Sequence, residues 1–180
     1  MLTLAQPRLV KVFAGVLWSD AEAFAAAEER MASMWGPCDL HSPNSPFTYT
    51  NYYDAEMGPG LQRSFLSFEQ LADASSLAEL KLQANDMELC SAIKGQRRVN
   101  IDVGYLDYHK VVLASTKEGP CKVYVGHGIW ADMTLRYRRG AFEPFEWTFL
   151  DFKSGVHNAF FAEVRARYKG QLRTEAATSA

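Results

Sequence analysis

The sequence predicts an α+β fold, a mainly antiparallel sheet with three helices packed on it. Three observations lead there. Apolar residues recur at helical spacing in three segments, each with its own start and stop signals. Between the second and third of these the pattern changes to period two, the mark of half-buried strands. Strand and helix alternate only in the first half, which reads as a split βαβ (ferredoxin-like) unit extended by a β-meander, with the helices on one face.

Residues 8–17 are mostly apolar and Val-rich, with Phe13 among them, and read as a buried strand. Ser19-Asp20-Ala21-Glu22 has capping-box form, in which the Ser oxygen accepts the Glu N–H and the carboxylate reaches back. Phe24, Ala27, Met31 and Met34 then mark the buried side of a first helix, and Gly36-Pro37 stops it. A second box, Ser76-Leu77-Ala78-Glu79, opens a helix buried through Leu77, Leu80, Ala84 and Met87, with Gly95 as its stop.

Val99, Ile101 and Val103 alternate with Arg98, Asn100 and Asp102. Two short runs, 110–116 and 122–126, flank the turn signal Glu118-Gly119-Pro120. Ile129, Ala131, Met133, Leu135 and Tyr137 alternate with polar residues and Trp130 up to Arg139-Gly140, a two-residue hairpin turn. That turn sets Arg136 opposite Glu143 and Asp132 opposite Trp147. A third helix covers residues 154–168 through Val156, Phe160, Val164 and Tyr168, and Gly170 ends it. Residues 1–173 form one domain, and 174–180 form a disordered tail of mostly small residues.

Composition narrows the function. The chain has 180 residues, of which 48% are hydrophobic and 13% aromatic, enough to fill a core. Its net charge of −2 lacks the broad basic field of a dedicated DNA binder, so nucleic acid is not an expected partner. No apolar run reaches the roughly 18 residues of a membrane span, and the N-terminus does not read as a signal peptide. Cys38, Cys90 and Cys121 are odd in number and widely spread, which favours free thiols and a cytoplasmic location.

Several chemistries lack their motifs. No G-x-x-x-x-G-K-[ST] cradles a phosphate, no G-x-G-x-x-G follows the first strand, and no G-x-S-x-G elbow occurs. Cys38 and His41 have C-x-x-H spacing, but no second such pair supports zinc, so no metal is expected. No cofactor is specified.

Three groups of residues point to a site. Residues 42–58 form a loop rich in Tyr and Thr, in which Tyr52 and Tyr53 offer ring and hydroxyl together and Asp54 and Glu56 two nearby acids. Arg98, Asn100 and Asp102 share one strand face, and Gly104-Tyr105 follows as a place for a ligand to approach the backbone. Lys110, Lys117, Arg136 and Arg138 form a basic group suited to phosphate or carboxylate oxygens. Each group has a plainer reading too: solvated acids, a wet sheet face, and Arg136 held by Glu143.

Pro46-Phe-Thr, Tyr52-Tyr53, Glu56-Met57-Gly58, Arg63-Ser-Phe-Leu-Ser-Phe-Glu69, Arg98-Val-Asn-Ile-Asp102, Gly104-Tyr105-Leu106, Ser115-Thr116-Lys117, Thr134-Leu135-Arg136-Tyr137 and Glu146-Trp147-Thr148 jointly resemble the prokaryotic domain-of-unknown-function family 4416 over about residues 8–172. The chain departs from that pattern at Val103, where the family usually has Pro, and at Ala84-Asn85, where a Thr often precedes the Asn. The resemblance implies a small free-standing bacterial or archaeal protein and brings no established activity. Some members carry a GTP-binding label, which the missing P-loop does not support here.

The leading expectation is a protein binding a small anionic ligand, a nucleotide or phosphorylated metabolite, on its polar sheet face. Asn100, Asp102, Lys110, Lys117, Arg136, Arg138, Tyr52 and Tyr53 would form one concave pocket. One alternative is a metal-dependent phosphoryl- or nucleotidyl-transfer or hydrolytic enzyme, with Asp102, Asp54 and Glu56 holding Mg²⁺ and Lys110 or Lys117 meeting developing charge. Others are an assembly subunit using the aromatic stretch 142–149, or an RNA-binding accessory protein using Lys94, Arg97, Arg98 and residues 136–139. The sequence leaves the oligomeric state open.

Overall fold

The computed structural model describes residues 7–178. In chain order the elements are β1 (Val10–Trp18), α1 (Ala21–Trp35), β2 (Cys38–His41), β3 (Ser45–Pro46), α2 (Asp54–Met57), β4 (Gln62–Ala72), α3 (Leu77–Cys90), β5 (Val99–Leu106), β6 (Lys110–Ser115), β7 (Lys122–Gly126), β8 (Ile129–Arg138), β9 (Ala141–Pro144), α4 (Leu150–Lys153) and α5 (Asn158–Thr178). The fold is α+β, built on one antiparallel sheet of order β2-β4-β1-β5-β6-β8-β7, with β3 beside β4 and β9 beside β8. Among the described residues no helix is long and apolar enough to cross a membrane.

Up to β5 the chain runs βαββαβ, apart from the short β3 and α2, with spatial order β2-β4-β1-β5. This is the ferredoxin-like arrangement, in which each helix joins two parallel strands across a third. Beyond β5 the order is not a simple meander. β6 and β7 do not pair with each other; both pair with β8, which lies between them. The turn at residues 118–120 therefore carries the chain past the end of β8 rather than closing a hairpin.

The helices cover both faces, not one. Val12, Ala14 and Val16 of β1 pack with Ala27 and Met31 of α1 and Leu80 and Ala84 of α3. Phe13 points the other way, into a cluster of Phe65, Phe160, Phe161 and Val164 that seats α5. Phe13 and Phe161 meet edge to face at 5.2 Å, the geometry ring quadrupoles favour.

Several local expectations shift. Asp20, not Ser19, caps α1: its Oδ1 accepts from the N–H groups of Glu22 and Ala23 at 2.9 and 3.0 Å. Ser19 donates to the Met57 carbonyl instead. Ser76 has no side-chain bond to the α3 amides and donates back to the Asp73 carbonyl. Met34 and Val156 are exposed, and Trp35 and Phe161 take buried places. Helix α5 passes Gly170 and continues to Thr178, so residues 174–178 of the expected tail are helical, and Ser179 and Ala180 lie outside the described residues.

In β8 a bulge interrupts the alternation. Val112 faces Met133 but Val111 faces Leu135, so one extra residue is inserted at Thr134. Ile129 and Ala131 thus pack toward α1 and α3, and Leu135 toward α5.

Candidate functional site

The site begins where the sheet splits. β5 and β6 pair only from Gly104 opposite Leu113 to Leu106 opposite Val111. Gly104 serves this pairing and not a ligand, since a Cβ there would stand 2.2 Å from the Val112 carbonyl oxygen. Over residues 99–103 the outer edge of β5 carries no strand. Buried side chains of α3 satisfy it: Ile101 N–H donates to Glu88 Oε1 and Lys81 Nζ donates to the Ile101 carbonyl, both at 2.7 Å. Such bonds meet the requirement that buried backbone polar groups be paired.

The gap is a cleft with two lobes. A polar lobe of about 280 Å³ lies between Asn100, Asp102 and the α3 side chains on one side and Ser115, Lys117, Lys122 and Asp132 on the other. An aromatic lobe of about 370 Å³ is walled by Phe47, Tyr49, Phe149, Leu150 and Phe152. Tyr52, Tyr53, Asp102 and Lys117 line both lobes and join them.

Beneath the junction lies Arg63 of β4, itself buried. It crosses β1 and donates from Nη1 to Asp102 Oδ2 at 2.8 Å and from Nη2 to Asp151 Oδ2 at 3.0 Å. Burial alone would raise Asp102, but the positive charges of Arg63 and Lys81 hold it below the ordinary carboxylate value. Burial, with the charge of Asp102 adding to it, pushes Asp151 up. Burial and Asp102 also push the Tyr53 phenol up to about 12, so it remains a neutral donor.

Arg97 forms the end wall. It grips Glu56 with two parallel bonds of 2.7 and 2.8 Å and reaches Glu88 at 2.8 Å and Asn100 at 2.9 Å. Hydrogen bonding from Arg97 holds Glu56 low. Opposite, Lys122 donates to Ser115 at 2.8 Å and lies 3.8 Å from Asp132. Burial raises Asp132, and its Oδ1 has no hydrogen-bond partner among the described residues. Lys117 is exposed; its Nζ stands 4.8 Å over the Tyr52 ring and makes no ion pair among the described residues.

Of the residues expected from sequence, Tyr52, Tyr53, Asn100, Asp102 and Lys117 come together here. Lys110, Arg136 and Arg138 do not. Lys110 pairs with Asp107 at the opposite end of β6, roughly 17 Å of strand away at about 3.3 Å per residue. Arg136 is held by Glu143 at 3.2 Å, as the hairpin register implied, and Arg138 lies exposed beside the hairpin turn. The Mg²⁺ set does not assemble: Glu56 is bonded to Arg97, and Asp54, Glu56 and Asp102 form no ligand cluster among the described residues. Nor is the basic patch of Arg97 and Arg98 free, because Arg98 pairs with Asp20.

Sequence reading missed Arg63, Lys81, Glu88, Lys122, Asp132 and Asp151. Lys81 and Glu88 carried a signal, since they continue the helical spacing of Leu77 and Ala84 and so had to be buried.

Residues 8–168 match a family described as a domain of unknown function, DUF4416. The chain belongs to the DUF4416 family. No curated protein and no solved structure matches it. The matched part of this DUF4416 chain contains every residue that lines the two lobes. The segments carrying the DUF4416 resemblance supply Tyr52, Tyr53, Arg63, Asn100, Asp102 and Lys117 to the cleft, and the departing Val103 is buried on the opposite, helix-covered side of β5.

Proposed function

We propose that this DUF4416 protein binds a small anionic ligand bearing a flat ring, of the nucleotide or phosphorylated-metabolite class. The anion meets Lys117 and Lys122 in the polar lobe, and the ring lies among the aromatic side chains of the second lobe. One observation carries the reading. Among the described cations of the cleft, Arg63, Lys81, Arg97 and Lys122 each have a carboxylate within ion-pair distance, whereas Lys117 has none. A free ammonium at the meeting of a polar and an aromatic lobe suits a ligand with those two ends. Asn100 and Tyr53 orient it as hydrogen-bonding groups. The three free cysteines accord with a reducing cytoplasm as the place of action.

Isothermal titration against nucleoside mono-, di- and triphosphates and sugar phosphates tests the assignment. At least one binds, and Lys117→Ala weakens it by roughly 10-fold or more, since a hydrogen bond to a charged group contributes about 1.5–3 kcal/mol. Flat titrations across the panel overturn it.

Acid–base turnover of the bound ligand is a second reading. It is favoured by Asp102 and Asp151, whose proton affinities are driven apart on either side of one guanidinium. Chromatography of each bound panel member after incubation reads it: new product that disappears in Asp151→Asn supports turnover, and unchanged ligand limits the protein to binding.

A further inference from the structure

We propose that Glu28, Cys38 and His41 form a binding site for a divalent transition metal of the Zn²⁺ class, where α1 meets the edge strand β2. The site lies outside the cleft, and its case is independent of the ligand assigned there.

A bulge builds it. Along a regular strand, residues three apart point to opposite faces. In β2, however, Cys38 faces Phe68 and Leu40 faces Ser67, so Asp39 is an inserted residue. The insertion changes the parity. Asp39 and Leu40 turn toward the α5 side, where Asp39 accepts from Ser67 and Leu40 packs in the cluster around Phe161. Cys38 and His41 then share the face that looks at α1, and Glu28 of α1 meets them.

The donor set is of mixed softness: one thiol, one imidazole and one carboxylate. Their ligand atoms lie within 4.8 Å of one another. Cys38 Sγ is 3.6 Å from His41 Nε2. A tetrahedral ion with Zn–S of about 2.3 Å and Zn–N of about 2.0–2.1 Å would put those atoms about 3.6 Å apart. His41 Nε2 bonds Glu28 Oε1 at 2.6 Å, and this contact opens by under ~1 Å to admit the ion at normal Zn–N and Zn–O lengths. On binding, the thiol releases its proton to solvent and the sulfur binds as thiolate, while the imidazole binds as the neutral ring, Nε2 on the ion and the N–H on Nδ1. Three protein ligands leave the fourth position to water.

The surroundings suit a cation and admit it. Cys38 is flanked by the negative charges of Glu28 and Asp39, and Asp39 is fixed on the far side by Lys11 and Ser67. His41 is half exposed and Glu28 partly so, which leaves a path from solvent. Cys38 is half-buried, whereas Cys90 and Cys121 are exposed, so the three thiols are separable by experiment.

The test is a Co²⁺ titration of the full chain after chelator treatment. One equivalent should give intense visible bands of four-coordinate Co²⁺ and a thiolate-to-metal charge-transfer band, and Zn²⁺ should bleach both. Cys38→Ser should lose the charge-transfer band, with Cys90→Ser and Cys121→Ser unchanged. His41→Ala and Glu28→Gln should weaken binding by at least the roughly 10–100-fold that losing an outer-shell partner costs. They should also lose the rise in Tm that Zn²⁺ gives the wild type, and these two variants carry the test should Cys38→Ser fail to fold. Absence of a charge-transfer band, its persistence in Cys38→Ser, or an equal Zn²⁺-induced Tm rise in His41→Ala overturns the site.

Discussion

Gly15 clears the path by which Arg63 crosses β1. A Cβ at residue 15 would stand 3.2 Å from Arg63 Nη1 and 2.7 Å from Phe65 Cε1. Gly15 lies directly opposite Asp102, so the guanidinium passes over the one position of β1 without a side chain to reach its carboxylate. Gly15→Ala therefore overpacks this layer and should cost about 1–3 kcal/mol. Urea unfolding reads this as a lower midpoint at unchanged m. An unshifted midpoint would show that Phe65 yields freely.

Arg63 compensates two carboxylates in a buried setting. Arg63→Met should destabilise the fold by roughly 3–5 kcal/mol, the range for removing one partner of a buried pair. The loss should shrink in acid, because Asp151, already raised by burial, takes up a proton more readily once the guanidinium is gone. Chemical denaturation at about pH 7 and about pH 4.5 compares the two deficits; an equal deficit at both would contradict the charge account.

The two acids should carry opposite pH linkage. Asp102 is depressed in the fold, so its contribution is present above the unfolded value of 3.8 and is lost as pH falls through its lower folded value. Asp151 is raised, so folding gains from its proton below 3.8, and that gain is lost as pH rises through its elevated folded value. Carboxyl-carbon NMR titration should place the Asp102 inflection below 3.8 and the Asp151 inflection above it. The reverse order would reject the assignment.

The part of this architecture legible in the sequence is the part fixed by local rules. Alternation at Val99, Ile101 and Val103 located β5 and put Asn100 and Asp102 on its other face, where the cleft opens. The Arg139-Gly140 turn set Arg136 against Glu143. What sequence could not show depends on strands distant in the chain. Lys110 and Lys117 looked like one basic group, but a strand length separates them. Arg63 has no local signal for its role, which exists only because β1 places Gly15 beside it. The bulges at Asp39 and Thr134 each reverse which face the following residues take, and neither has a local signature that fixes its place.

Glu88 should prove to be a backbone partner as well as a charge. Glu88→Gln keeps an acceptor for Ile101 N–H, whereas Glu88→Ala removes it and leaves Lys81 and Arg97 with one partner fewer. Ile101 amide exchange should stay protected in the Gln variant and accelerate in the Ala variant, with the larger stability loss also in Ala. Equal acceleration in both would mean that the charge alone holds the open edge of β5.

The β8–β9 hairpin permits a gain in stability. Arg139 and Gly140 join Arg138 to Ala141 with φ of 51° and 90°. Both central residues thus have the positive φ of a type I′ turn, which favours Asn-Gly. Arg139 occupies the first position at a steric cost of about 1 kcal/mol that Asn largely escapes. Its side chain forms no ion pair among the described residues, so Arg139→Asn should sacrifice little. Differential scanning calorimetry should show a rise in Tm from a stabilisation of up to about 1 kcal/mol. Arg139→Val, β-branched and unsuited to this conformation, should lower it. Equal Tm values for the two variants would mean that the strand register, and not the turn, sets the hairpin.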